Sequence, residues 1–313
     1  MAANKTGRAA SEKPLTTPTF AVPADLQSGA VSRVSPHVRR LVANNPSPFT
    51  FTGTCSYIVG NGDVAILDPG PDDITHIEAL LQAVEGERVG HILVTHTHRD
   101  HSPAAAAIKR ATGAEIVGAR RFQPRSGAGF HDHDATHDRD YAPDRELADG
   151  ERIAGRSYTF ETIATPGHAA NHLAFALLEE NCLFSGDCVM AWSTSVIAPP
   201  DGSMGDYMAT LDRLRDRADS IYWPGHGGPV REPQRYVRAL AHHRRQREVS
   251  ILTRLEAGDE TIPEIVAKVY ENLNPTLIGA ASLSTLAHLE DLIARGLVSA
   301  DRVPALDTRF RKA

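Results

Sequence analysis

The chain has 313 residues, of which 41% are hydrophobic and 23% are charged, an ordinary composition for a folded globular protein. This length accommodates one large domain, or one large and one small domain. The formal net charge of -6 argues against a surface built wholly for nucleic acid, although it leaves room for a local basic patch.

Residues 1–23 are rich in Ala, Thr, Lys and Pro and lack the apolar segment of a secretory signal. We expect a disordered N-terminal tail, with an organelle-targeting segment as the alternative. No apolar run is long enough to predict a membrane partner. The three cysteines, Cys55, Cys182 and Cys188, form no CxxC pair and no disulfide framework, which favours a reducing, cytoplasmic location.

The first predicted strands flank the sequence Gly-Asn-Gly-Asp at residues 60–63. Asn-Gly between two apolar runs is typical of a hairpin turn. The same residues resemble a dinucleotide-binding fingerprint, but that fingerprint requires a helix after the glycines, and here a second strand follows. Asp72 or Asp73 is then predicted to cap a helix, and a further helix is predicted over residues 103–111. Asp206 is predicted to cap a later helix.

The densest group of candidate ligands directly follows an apolar strand predicted at residues 92–94. Alternate side chains of an extended segment point the same way, so His96 and His98 can hold one cation. Asp100 and His101 reach from the following turn toward a second cation.

Three more candidate ligands follow short apolar runs, and each stands next to a glycine. They are His168, Asp187 and His226. Chance placement of 15 histidines is a poor account of this repeated pattern. The seven side chains therefore suffice for two metals, and strand alternation is expected to turn Cys188 away from the site as a buried thiol.

His-x-His-x-Asp-His followed by separate Gly-His, Gly-Asp and Gly-His elements resembles the metallo-beta-lactamase fold superfamily, over about residues 31–231. The resemblance implies an α/β fold, the αββα sandwich in which two packed mixed β-sheets are flanked by helices. It also implies which ligands share a metal: His96, His98 and His168 hold one, Asp100, His101 and His226 hold the other, and Asp187 bridges both.

A histidine-rich set favours two Zn²⁺ ions as cofactors, with other divalent transition metals as the alternative. Such ions lower the pKa of a bridging water, so that a metal-bridging hydroxide can attack a carbonyl or phosphoryl centre. Asp100 is the predicted catalytic residue, because it can ligate one metal and orient the nucleophile. His172 is predicted either to bind substrate or to support the ligands from behind.

Residues 120–149 contain many Gly, His and Asp residues and few apolar ones. His131 and His133 repeat the His-x-His spacing, but no strand precedes them. We expect a mobile loop near the site; a third metal site, a substrate lid and a solvated insertion are the alternatives.

The C-terminal part of the chain is predicted to be helical. A basic run from Arg238 to Arg247 lies on a first helix, a Thr261–Glu264 capping box opens a second, and residues 283–295 form a third before a short strand. This order resembles a winged helix, which can bind nucleic acid, pair subunits as a homodimer or cover one edge of the catalytic domain. The last helix has no basic face, which weakens the nucleic-acid interpretation.

The predicted organisation is thus a tail (1–23), a catalytic domain (24–235) and a small winged-helix-like domain (236–313). This combination is similar to the lactamase-beta-2 branch, which includes an endoribonuclease acting on single-stranded RNA. The resemblance implies a metal-dependent hydrolase of either single-stranded RNA or a small thioester, lactone or ester, and the fold alone does not decide between them. The alternative is a nucleic-acid-binding regulator with a metal-binding sensory domain. An iron-dependent redox enzyme is disfavoured, since such enzymes carry an acidic residue at the position of His98.

Overall fold

The computed structural model describes residues 18–20, 26–123 and 136–313. Its first sheet contains seven strands in chain order: β1 (Ser32–Arg33), β2 (Val38–Val42), β3 (Cys55–Asn61), β4 (Asp63–Leu67), β5 (Arg88–Val94), β6 (Glu115–Gly118) and β7 (Arg145–Glu146). Strands β1 to β4 pair antiparallel, whereas β4 to β7 pair parallel. The sheet is therefore mixed, with its parallel half on the side of β5.

The second sheet contains five strands: β8 (Arg152–Ala154), β9 (Thr159–Ala164), β10 (Leu173–Leu177), β11 (Cys182–Gly186) and β12 (Ile221–Pro224). Their spatial order is β12-β11-β10-β9-β8. Only β11 and β12 pair parallel among them. Because β9 and β11 both run antiparallel to β10, the carboxyl ends of β9, β11 and β12 lie at one edge of the sheet.

The two sheets pack face to face, with helices on both outer sides. Large apolar side chains fill the space between the sheets, among them Tyr57, Phe160, Phe175 and Phe184. Helices α1 (Ile74–Ala83) and α2 (Ala105–Thr112) pack on the first sheet. Helix α3 (Met204–Arg215) and the start of α4 (Pro233–Glu256) pack on the second. The predicted αββα sandwich is confirmed.

A smaller helical domain follows. It contains α5 (Ile262–Val269), a 3-10 turn (Pro275–Leu277), α6 (Ile278–Ala294) and the antiparallel strands β13 (Val298–Ala300) and β14 (Phe310–Lys312). Helices followed by a two-stranded hairpin match the predicted winged-helix arrangement.

Helix α4 belongs to both cores. Tyr236, Val237 and Leu240 pack in the core of the second sheet, whereas Ile251 and Leu255 pack in the core of the helical domain. The boundary predicted at residue 236 therefore falls inside one continuous helix. This helix links the two domains without a loop.

One helical segment among the described residues, the 20 residues Pro275–Ala294, is long and apolar enough by length and composition to cross a membrane. Leu286, Leu289 and Leu292 of this segment are fully buried in the helical domain instead. Packing in a folded core thus accounts for its composition.

Most of the predicted local signals are found in the structure. The β3–β4 hairpin turns at residues 60–63, Asp73 caps α1, and the Thr261–Glu264 capping box opens α5. The helix cap expected at Asp206 is wrong. Ser203 caps α3, because its extended backbone lets its hydroxyl accept a hydrogen bond from the Asp206 N–H.

Two predictions fall on residues outside the described ranges. The predicted N-terminal tail does so except for residues 18–20. His131 and His133 of the insertion also lie outside the described residues.

Replacing Asp73 with Ala is expected to lower the free energy of unfolding by about 1 kcal/mol. The carboxylate accepts hydrogen bonds from the N–H groups of Thr75 and His76, which lose their partner in the variant. Chemical denaturation followed by circular dichroism measures the loss. Asp72→Ala at the neighbouring position is the control, and an equal loss in both variants would contradict the capping role.

Candidate metal centre

All of the predicted ligands follow the carboxyl ends of strands. The first sheet supplies His96, His98, Asp100 and His101, which come after β5. The second sheet supplies the remaining three, His168 after β9, Asp187 after β11 and His226 after β12. Because the two sheets are packed together, these ends meet at one edge of the sandwich.

His96, His98 and His168 form the first donor set. The Nδ1 atom of His98 lies 3.0 Å from His96 Nε2 and 3.1 Å from His168 Nε2. Ligand atoms bound tetrahedrally to zinc at about 2.0–2.1 Å lie about 3.3 Å from one another, close to these spacings. Three ring nitrogens therefore face one point.

Asp100, His101 and His226 form the second donor set. Asp100 Oδ2 lies 3.2 Å from both His101 Nε2 and His226 Nε2. Asp187 stands between the two sets, with its Oδ2 atom 3.6 Å from His168 Nε2 and 3.3 Å from His226 Nε2. The structure thus brings all seven side chains together, and their assignment to two metals stays a prediction.

Glycines beside the ligands allow this close approach. A Cβ atom on Gly225 would lie 2.4 Å from Asp187 Oδ1 and 2.7 Å from His101 Cε1. Gly186 adopts a φ of +49°, and a Cβ there would lie 2.6 Å from His172 Nε2. Gly225 therefore leaves room for the donors Asp187 and His101, and Gly186 leaves room for His172.

Hydrogen bonds from the opposite ring nitrogen orient most of the imidazoles. The Nδ1–H group of His168 donates to the Val196 carbonyl at 2.6 Å, and that of His101 donates to Asp68 Oδ2 at 3.0 Å. His96 Nδ1 lies 2.9 Å from Thr95 Oγ1. Each bond selects the tautomer whose Nε2 lone pair points into the site.

Asp68 is a supporting residue that the sequence analysis missed. Its fully buried carboxylate also accepts hydrogen bonds from the N–H and the hydroxyl of Thr95, at 2.8 Å each. It therefore fixes both the start of the ligand turn and the ring of His101. Its position in the sequence could have indicated this role, because Asp68 directly follows β4, the strand that pairs with β5.

His172 supports the site from the protein interior and does not line the cavity. Its side chain is buried, its Nδ1 lies 2.7 Å from Thr165 Oγ1, and its Nε2 accepts from the Asp187 N–H at 3.1 Å. Of the two roles left open for His172, substrate contact does not agree with this placement. The ring instead holds the backbone that carries Asp187.

The loop that follows Asp187 is held by a buried cation from α4. Ser195 donates its hydroxyl to the Asp187 carbonyl at 2.6 Å, and Arg244 donates to the Ser195 carbonyl. Arg244 also stacks over the Tyr207 ring at 5.3 Å. Arg244, which belongs to the predicted basic run, is thus buried and stabilises the loop after Asp187. Cys188, next to Asp187, is a buried free thiol as expected, and burial raises its pKa.

The electrostatics of the two donor sets differ. Burial, together with the surrounding imidazoles, lowers the pKa of His96 and His98 well below the usual range, so both rings are neutral. Burial raises the pKa of Asp100 and Asp187, but His101 and His226 outweigh it and hold both carboxylates ionised. In return these carboxylates raise the pKa of His226 to about 9 against the effect of burial. The second set is therefore a buried network of opposite charges.

The donors fit divalent transition metals. Asp187 Oδ1 is buried and has no hydrogen-bond partner among the described residues, and His101 Nε2 lies 3.6 Å from it. A buried polar atom of this kind is costly unless something satisfies it. Imidazoles combined with two ionised carboxylates form a donor set typical of zinc and related ions.

The insertion contributes His137 to the rim of the site. Its backbone pairs with that of His98, its ring stacks on Phe122 at 3.7 Å, and its Nε2 lies 3.5 Å from Asp201 Oδ2. His98, His137 and Asp201 also lie close enough together to hold a cation. The expected position of the insertion, near the site, agrees with this contact.

A cavity of about 660 Å³ opens directly above the donor atoms. His98, Asp100, His168, Asp187 and His226 form its floor. Arg99 is the only lysine or arginine among the described residues that line it. The rest of the lining is mostly apolar.

Comparison with known sequences agrees with this geometry. The family model of the metallo-beta-lactamase superfamily matches residues 49–226, and that of the beta-lactamase associated winged helix domain matches residues 261–303. A beta-lactamase-like protein 2 homolog of Caenorhabditis elegans is 30% identical over 263 residues, which cover 82% of this chain and 83% of the relative. An atrochrysone carboxyl ACP thioesterase of Claviceps purpurea is 26% identical over 77% of this chain and 74% of its own length.

Solved structures show the same architecture. A metallo-beta-lactamase family protein from Thermus thermophilus superimposes with a TM-score of 0.73 at 24% identity, over 90% of this chain and 100% of its own. A beta-lactamase domain protein from Burkholderia ambifaria gives a TM-score of 0.76 at 21% identity, over 94% and 97%. Both matches extend through the sandwich and the helical domain.

Replacing Asp68 with Asn is expected to weaken zinc binding by about 10- to 100-fold. The neutral amide has one acceptor oxygen in place of two, so it no longer accepts all of the hydrogen bonds from Thr95 and His101. Competition with a chromophoric chelator measures the affinity. Asp63→Asn is the matched control, since Asp63 is a buried carboxylate at the other end of β4 and pairs with Arg88. Equal zinc affinity in the Asp68 variant and the natural protein would contradict the orienting role.

Zinc uptake at pH 7 is expected to release protons, because His226 is protonated below about pH 9 in the metal-free protein and must be neutral to bind metal. The same raised pKa stabilises the metal-free fold fully below about pH 6.5, and this contribution is lost as the pH rises through about 9. Calorimetric titration in two buffers of different protonation enthalpy measures the release. Identical heats in both buffers would contradict it.

Proposed function

Because this chain belongs to the metallo-beta-lactamase superfamily, whose members include metal-dependent hydrolases, we propose that it hydrolyses thioesters with two zinc ions held by its seven converging donors. The observation that supports this most directly is the two donor sets, joined by Asp187, at the floor of a mostly apolar cavity. When bound, the ions supply a water of lowered pKa and positive charge for the developing oxyanion.

The chain's own residues fix the geometry of the reaction. Asp100 lies at the cavity floor with a quarter of its side chain exposed, and it accepts a hydrogen bond from Thr54 Oγ1 at 3.1 Å. Its carboxylate is therefore held in one orientation and can orient an attacking water by accepting a hydrogen bond from it. Asp187 sets the separation of the two donor sets, and His172 fixes the backbone beneath it.

A thioester suits this site better than single-stranded RNA. A polyanion requires a row of cations along its backbone, and Arg99 alone among the described lining residues supplies one. A thiolate leaves readily near neutral pH, because thiols have pKa values of about 8.5. Relatives named as carrier-protein thioesterases support the same choice.

The basic run of α4 gives little support to RNA binding. Arg244 is buried against Ser195, Arg247 donates to the Val269 carbonyl at 2.5 Å and stacks on Tyr270, and Arg245 pairs with Asp212. Arg244 and Arg247 are thus engaged within the fold, whereas Arg238 and Arg245 lie on the surface. The last helix of the winged-helix-like domain, α6, places Gly279, Ala280 and Leu283 in the cavity lining. This face of α6 is therefore not available to bind nucleic acid, which weakens the regulator hypothesis.

Purified protein is expected to hold two zinc ions per chain and to release thiol from acetyl-, hexanoyl- or decanoyl-coenzyme A. Asp187→Ala should lower kcat by at least about 100-fold, since the carboxylate between the two donor sets is lost. Elemental analysis and a thiol-reactive dye give the two readouts. Asp216→Ala, a change at an exposed carboxylate on the outer surface, is the control and should leave kcat unchanged.

A metal-stripped sample should be inactive and should recover when zinc is added. Thiol release that persists after metal removal would contradict the proposal. Cleavage of a labelled single-stranded RNA, with every thioester left intact, would replace thioester by phosphodiester as the substrate class.

A further inference from the structure

The helical domain supplies part of the wall of the cavity that contains the donor atoms. Thr276, Gly279, Ala280 and Leu283 all line the same cavity as Asp100 and Asp187. Gly279 and Ala280 lie three or four positions before Leu283, so these residues share one face of α6. A domain that carries none of the predicted ligands therefore borders the space in which substrate binds.

This wall is fixed to the catalytic domain. Ala287, one turn beyond Leu283, lies in the same core cluster as Tyr207 and Leu211 of α3. Close contact at the start of α3 extends the attachment, since a Cβ on Gly205 would lie 2.9 Å from Asp291 Oδ1 of α6. These contacts fix the position of α6, and with it the part of the cavity wall that α6 forms.

Small residues on α6 leave free space in the cavity beside this wall. Gly279 has no atom within 4 Å of the position that its Cβ would occupy. The side walls add Met190, Val196 and Ala198, which are apolar. A volume of about 660 Å³ lies within the range of about 300–1,000 Å³ that is usual for small-molecule sites. Apolar walls of this kind favour an apolar occupant over water.

We infer that the face of α6 formed by Gly279, Ala280 and Leu283 determines which acyl group the enzyme accepts. The scissile carbonyl lies at the donor atoms, and an apolar acyl chain extends from it toward α6. The inference rests on the proposed thioesterase function and names the substrate class more closely, as thioesters of extended apolar acyl groups. The helical domain is thus a specificity element of the active site.

Substitution at Ala280 tests this assignment with acetyl-, hexanoyl- and decanoyl-coenzyme A as probes. Ala280→Phe should raise KM for the decanoyl thioester by at least about tenfold, the scale on which apolar pockets discriminate single methylene groups. Acetyl-coenzyme A should be hydrolysed as before, because its acyl group does not reach α6. Zinc content should remain two per chain.

Ile278→Phe is the matched control. Ile278 lies two positions away in the same turn, is 49% exposed and does not line the cavity, so the same added ring should leave all three probes unaffected. Leu283→Ala is the complementary change, and it should improve kcat/KM for the decanoyl thioester relative to the hexanoyl thioester. It keeps the inference testable if Ala280→Phe fails to fold.

The outcomes separate the two proposals. Equal effects of Ala280→Phe on the acetyl and decanoyl probes, or no effect of Ala280→Phe and Leu283→Ala on the ratio between probes, would overturn the role of α6 alone. A zinc-loaded natural protein that hydrolyses none of the three probes would overturn the thioesterase function and this inference with it.

Discussion

Two ionised carboxylates lie at the donor sets, Asp187 buried and Asp100 with a quarter of its side chain exposed, and the arrangement of the site depends on the cations that compensate them. A buried charge without a partner is strongly destabilising. In the metal-free chain, His101 and His226 supply the compensation, because the carboxylates raise the pKa of both rings. Divalent ions would replace those protons with a larger charge. Metal binding, protonation and the local fold are therefore one coupled equilibrium.

This network can form only where the two sheets meet. Donors from β5 and donors from β9, β11 and β12 come from different sheets, so their distances depend on how the sheets pack. Glycines at 186 and 225 remove the side chains that would keep the strand ends apart. Bound metal would then hold the two sheets together at this edge. The site is a consequence of sheet packing as much as of the ligand motif.

Features that depend on short stretches of sequence were predictable. The ligand turn after β5, the β3–β4 hairpin and the α5 capping box each depend on neighbouring residues, and each lies where the sequence placed it. Among features that join distant segments, the convergence of His168, Asp187 and His226 on the ligand turn was expected through the family resemblance, but two others were not expected at all. Asp68 meets Thr95 across two strands, and α6 reaches the cavity from more than 150 positions beyond Asp100. Ser203, and not the predicted Asp206, caps α3. The sequence did not distinguish the two because Ser and Asp both favour the N-cap position.

The continuity of α4 makes each domain depend on the other for a complete core. Where two domains are joined by a loop, a cut in the linker leaves both cores intact. Here Tyr236 and Leu240 of α4 pack in the core of the second sheet, as does Ala287 of α6, whereas Ile251 and Leu255 pack in the core of the helical domain. A sandwich produced without the helical domain would therefore expose the apolar surface that α6 covers.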